Sequence, residues 1–218
     1  MDKKEHLLFV SQLLGNADKS AALPMIVPLH FMGSSPAQIL PLLLHNFDTP
    51  ARVIAPYGLH TFETQFAWFP EDLYAKSEAE QAKFLDSVVT LLLENTAVWM
   101  EKFPTVGKPI YLGVSQGGDL CFTLAAKHSD QFSLCLPIAG RLLTDEIVPQ
   151  ENPGIVRAHQ GQDDPIVSVE SARTAVEQLR AAQLDVELRE YAGVEHAVPP
   201  EMRAAIHTDI RTTLETLS

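Results

Sequence analysis

Apolar positions along the chain gather into short unbroken runs, separated by longer stretches of mixed polarity. The runs "LPMIVPLHF" (23–31), "ARVIAP" (51–56), "KPIYLGV" (108–114), "FSLCLPIAG" (132–140) and "GIVRAHQ" (154–160) have the length and residue types of buried strands. "DVELREYA" (185–192) alternates, as a half-buried strand does. Helical periodicity marks 36–46 (interrupted by Pro41), 77–102, 117–129, the strongly amphipathic 168–183, and 199–217, which opens on prolines. Ser77 with Glu80 forms a capping box at the start of the second of these. Segment 5–14 reads equally as helix or strand.

Buried strands alternating with helices predict an α/β chain: a mainly parallel sheet with helices on both faces. In such sheets functional groups collect in the loops at the carboxyl ends of strands. With 218 residues and no internal repeat or linker, residues 1–218 are expected to form a single domain with no large cap.

Composition narrows the function classes. Hydrophobic residues make up 46% of the chain and charged residues 20%, an ordinary globular balance. The net charge is −12 and the 16 basic residues are scattered, which argues against a nucleic-acid surface. No run approaches the roughly 18–20 apolar residues of a membrane span, so no stable membrane insertion is expected. "MDKKEHLLFVSQLLG" has neither the apolar core nor the small-residue cleavage site of a signal peptide. Cys121 and Cys135 have no metal or redox spacing and read as buried free thiols. Together these features point to the cytoplasm. No histidine pair has metal-ligand spacing, and neither metal nor cofactor is expected. A homodimer is compatible with the sequence.

Candidate chemistry starts at "GVSQGG" (113–118), between a strand and a helix. Gly-x-Ser-x-Gly in that position is a nucleophile elbow: the serine backbone is strained, and side chains two residues away on either side would clash. The following helix points its N-terminus at the site, which favours developing negative charge. A serine hydroxyl needs a base, and the base needs an orienting carboxylate. "QGQDDPIVS" (160–168) and "AGVEHAVPP" (192–200) each follow a strand, and supply Asp164 and His196. The order Ser115, Asp164, His196 is that of an α/β-hydrolase.

These segments resemble the phospholipase/carboxylesterase branch of the α/β-hydrolases, which includes small esterases and acyl-protein thioesterases. "GVSQGG" is similar to its Gly-x-Ser-Gln-Gly-Gly elbow. "GQDDPIVS" resembles its Gly-x-x-Asp-x-x-Val-Pro loop, with Ser168 in place of proline, and "EYAGVEHAVPPEM" its Tyr-x-Gly-x-x-His segment. "VPLHFMGSSP" sits where the family has Leu-His-Gly-x-Gly, and "VIAPYGLHTFETQFAWFP" resembles its proline-rich loop. The likeness runs over 24–215.

The resemblance implies a serine carboxylesterase acting on small-molecule esters through an acyl-enzyme. Ser115 would be the nucleophile, His196 the base and Asp164 its orienting acid. The backbone N–H groups of Met32 and Gln116 would form the oxyanion hole. The alternatives are an acyl thioesterase or lysophospholipase using the same triad, or a binding protein that keeps the fold without the chemistry. Counting from Gly161, the family spacing selects Asp164 over Asp163, with Asp145 a more distant candidate. The family glycine after His30 is Phe31, and Glu195 precedes His196 and is expected to face solvent. His30 reads as an anchor of the oxyanion loop. Phe62, Phe66, Trp68 and Phe69 form a dense aromatic run. Trp68 is expected to pack the loop onto the sheet, while Phe31 and Phe66 are the pocket candidates.

Overall fold

A computed structural model describes residues 6–144 and 146–216. Nine strands and five α-helices follow one another as β1 (Phe9–Leu14), β2 (Met25–Leu29), α1 (Pro36–Leu44), β3 (Ala51–Pro56), β4 (His60–Phe62), β5 (Gln65–Ala67), α2 (Glu78–Lys102), β6 (Ile110–Val114), α3 (Gln116–Lys127), β7 (Leu134–Ile138), β8 (Ile155–Gly161), α4 (Val169–Ala181), β9 (Val186–Tyr191) and α5 (Pro200–Thr216). Seven strands form one sheet in the order β1-β3-β2-β6-β7-β8-β9, and β4 pairs with β5 in a separate hairpin.

Segment 5–14, ambiguous in sequence, contains β1. It runs antiparallel to β3, with Phe9 opposite Pro56 and Leu14 opposite Ala51. All other neighbours in the sheet are parallel. Successive strand residues face opposite sides, so each central strand serves two cores. In β6, Tyr111 enters the core shared with α2, α3 and α4, whereas Ile110, Leu112 and Val114 enter the one shared with α1 and α5. Both faces are therefore covered, which is why these strands are continuously apolar in sequence.

Three local features decide details. Ser77 caps α2 through a complete capping box with Glu80, the Glu80 carboxylate receiving the Ser77 backbone N–H at 3.1 Å. Pro41 does not interrupt α1. It is exposed, and burial of Ile39, Leu43 and Leu44 outweighs the one hydrogen bond it forfeits. The aromatic stretch after β3 folds into the β4–β5 hairpin, which the sequence did not suggest. Its turn carries Glu63 at φ 50, where glycine or asparagine usually signals such a turn.

Candidate active site

Strand order places the candidate groups. The loops after β2 and β6 are neighbours because those strands pair. The loops after β8 and β9 are neighbours for the same reason. β9 is three strands from β6, roughly 14 Å at the usual spacing, so the loop carrying His196 must reach back across the sheet edge. All four loops lie at carboxyl ends of parallel strands.

Ser115 stands between β6 and α3 with φ 56 and ψ −113. This left-handed value is costly for a residue with a Cβ. It is held there by hydrogen bonds on both sides: the Ser115 N–H donates to the Ile138 carbonyl at 2.9 Å, and the Ser115 carbonyl accepts from Asp119 N–H at 2.8 Å. A Cβ on Gly113 would collide with the Gly117 carbonyl, and one on Gly117 with the Leu29 carbonyl. The glycines thus allow the elbow to press against β2. Ser115 occupies the N-cap position of α3, yet its hydroxyl makes no capping bond.

The Asp164 carboxylate is buried and fully engaged. Oδ1 accepts from the Ile166 and Val167 N–H groups at 2.8 and 2.9 Å. Oδ2 accepts from Gln160 Nε2 at 3.0 Å and lies 2.7 Å from His196 Nδ1. Burial opposes its charge, but the Val167 N–H, the His196 imidazole and the Ile166 N–H outweigh that and hold the carboxyl below its ordinary range. Asp163, next to it, is exposed. Its N–H donates to the Val194 carbonyl at 3.0 Å, which stitches the aspartate loop to the histidine loop. Glu195 is also exposed, as expected. Asp145 lies outside the described residues.

Ser115 and His196 line one cavity of about 700 Å³ together with Phe31, Met32, Tyr74, Asp119, Arg141 and flanking apolar residues. Phe66 is not among its lining residues, contrary to the sequence expectation. The hairpin turns it instead toward Tyr57, with ring centroids 4.8 Å apart. The Phe66 backbone pairs with the loop after β2: its carbonyl accepts Gly33 N–H at 2.9 Å, and its N–H donates to the Ser34 carbonyl at 3.0 Å. Phe66 therefore braces the loop that carries Phe31 and Met32.

His30 anchors the same loop from below. Its Nε2 accepts Gly58 N–H at 2.9 Å, which leaves the proton on Nδ1, 2.8 Å from the Phe31 carbonyl. Burial pushes this imidazole down to about 4, against the bond to Phe31, so it is neutral. The Trp68 indole stacks on it and is itself fully buried, a packing role rather than a pocket wall.

The sequence reading passed over three polar lining residues. Asp119 is buried on α3 and receives the Arg141 backbone N–H at 2.6 Å and the guanidinium at 2.7 Å. Burial pushes its carboxyl up, and the guanidinium opposes the shift. Tyr74 lies beneath Arg141, 5.4 Å from ring centroid to guanidinium carbon. A signal existed for Arg141 alone, which follows the β7 run at a strand carboxyl end. Among the described residues, no group of three or more His, Cys, Asp or Glu is arranged to hold a metal.

The fold has close counterparts among solved structures. Esterase PE8 superposes with a TM-score of 0.83 at 18% identity, covering 96% of this chain and 100% of that one. A phospholipase/carboxylesterase from Dyadobacter fermentans gives 0.74 at 19%, covering 95% and 98%. SOBER1 from Arabidopsis thaliana gives 0.74 at 17%, covering 88% and 99%. At these identities the likeness speaks for the fold. No curated protein matches the sequence. Residues 17–214 match the phospholipase/carboxylesterase family as a whole. A match over nearly the full length, on an α/β-hydrolase sheet, shows that this chain belongs to the phospholipase/carboxylesterase family.

Proposed function

We propose that the protein is a serine carboxylesterase acting on small-molecule esters by way of an acyl-enzyme. The observation that carries this reading is a strained serine sharing a cavity with a histidine whose Nδ1 is 2.7 Å from a buried, hydrogen-bonded aspartate. Ser115 Oγ bonds to the ester carbonyl carbon while its proton passes to His196 Nε2. The tetrahedral oxyanion is met by the N–H groups of Gln116 and Met32. Gln116 is the first residue of α3, where N–H groups have no partner within the helix. The carbon–alkoxy bond then breaks and His196 gives its proton to the departing alcohol. Water, deprotonated by His196, attacks the acyl-serine and releases the carboxylic acid and free Ser115. Asp164 holds the imidazole in the required tautomer and orientation.

No helix among the described residues is long and apolar enough to cross a membrane. A cytoplasmic location completes the reading, supported by the two buried free thiols.

A fluorophosphonate should label the protein stoichiometrically at Ser115, with hydrolysis of 4-nitrophenyl butyrate lost in parallel. Labelling elsewhere, or activity that survives full labelling, would sink the reading.

A further inference from the structure

The cavity around Ser115 has two unlike sides. Phe31, Leu42 and Val198 pack against the core that α1 and α5 form with the sheet. Tyr74, Asp119 and Arg141 lie toward the other core: the Tyr74 ring packs on buried Phe69, 5.7 Å between centroids, and carries Arg141 on it. Among the described residues, Arg141 is the only lysine or arginine lining the cavity.

Its guanidinium is held on two sides. Nη2 binds the Asp119 carboxylate at 2.7 Å, and the guanidinium carbon lies 5.4 Å from the Tyr74 ring centroid. Both Asp119 oxygens are occupied by Arg141 itself, one by its backbone N–H and one by its side chain. Nη2 is the only guanidinium nitrogen with a hydrogen bond among the described residues, so the Nε and Nη1 donors remain available. The side chain is 27% exposed, enough for a ligand to reach it from the cavity. A guanidinium has five donors in a fixed fork, and one already held in place loses little freedom on binding a planar carboxylate.

The geometry points to a substrate that carries a carboxylate in addition to the ester that is cleaved. The carboxylate binds Arg141, the apolar part lies along Phe31, Leu42 and Val198, and the ester carbonyl sits between them at Ser115. This substrate class rests on the esterase reading above.

The test compares kcat/KM for 4-nitrophenyl hydrogen adipate with that for neutral 4-nitrophenyl hexanoate. The wild type should favour the anionic ester. Arg141→Gln should cut the ratio of the two by about ten-fold or more, mainly through KM for the adipate. Arg141→Lys should retain part of the preference, since it keeps the charge and loses the fork. A purely structural role for Arg141 would depress both esters together, and an unchanged ratio overturns the proposal. Should Arg141→Gln leave Asp119 unpaired and fail to fold, rising salt in the wild type gives the same comparison. KM for the adipate should rise with salt while KM for the hexanoate stays level, and a ratio insensitive to salt overturns the proposal.

Binding separates this inference from the esterase reading. Calorimetry on Ser115→Ala should show monomethyl adipate binding more tightly than methyl hexanoate, with no turnover required. Hydrolysis of neither ester by the wild type defeats the esterase reading, while adipate binding would still support the Arg141 site. Absence of that binding overturns the site itself.

Discussion

The Gln116 side-chain oxygen accepts the backbone N–H of Trp68 at 2.9 Å, joining the first residue of α3 to the aromatic loop. The Trp68 indole N–H donates in turn to the His30 carbonyl at 2.8 Å. One buried line thus runs from the residue after Ser115 to the loop carrying Phe31 and Met32. Gln116, one proposed oxyanion donor, sits at one end of the line, and Met32, the other, lies two residues beyond His30 at the opposite end.

Gln116→Ala breaks that line. It leaves the buried Trp68 N–H without its acceptor, at a cost of about 1–3 kcal/mol in stability. Because the oxyanion loop loses its register to α3, kcat for a short 4-nitrophenyl ester should fall more than KM rises. Thermal unfolding and steady-state kinetics on the same sample check both parts.

Two substitutions at Ser115 separate chemistry from strain. Ser115→Ala should lower kcat by about 10⁴-fold or more and keep the strained backbone. Ser115→Gly should be equally inactive, yet unfold at a higher temperature than the alanine variant, because only glycine occupies φ 56 without penalty. Equal melting temperatures would contradict the strain assigned to the elbow.

Asp164 and Asp163 are neighbours with opposite environments, one buried and one exposed. Asp164→Asn should lower kcat by about 10⁴-fold, since an amide facing His196 Nδ1 favours the wrong tautomer. Asp163→Asn should change kcat by less than about two-fold, as expected for an exposed side chain away from the chemistry. Parallel kinetics on the two variants read out the difference.

His30 should make stability depend on pH. Its imidazole titrates at about 4 in the folded chain and near 6.5 when unfolded. Between those values the unfolded state binds more protons, so stability rises with pH through that window. The contribution approaches roughly 3 kcal/mol across the full interval. His30→Gln should be destabilised at pH 7, and its deficit relative to the wild type should shrink as pH falls toward 5. Denaturant melts at several pH values measure this, and a deficit that grows with acid would refute it.

Sequence alone determined the repeating order of strands and helices, because burial on both faces leaves continuous apolar runs and amphipathic helices leave their own period. It also set the elbow, since only glycine tolerates the contacts at 113 and 117, and it singled out Asp164 and His196 through their places after β8 and β9. Segment 5–14 stayed ambiguous because an edge strand with one partner has a weak pattern, and pairing with β3 decided it. The hairpin that turned Phe66 from pocket candidate into brace had no turn signal at Glu63. Arg141, Asp119 and Tyr74 are far apart in the chain, and only the packing of α3 against the sheet brings them to one wall of the cavity. Local periodicity records how each element is buried. Which side chains share a cavity depends on how distant elements stack, and no local pattern encodes that.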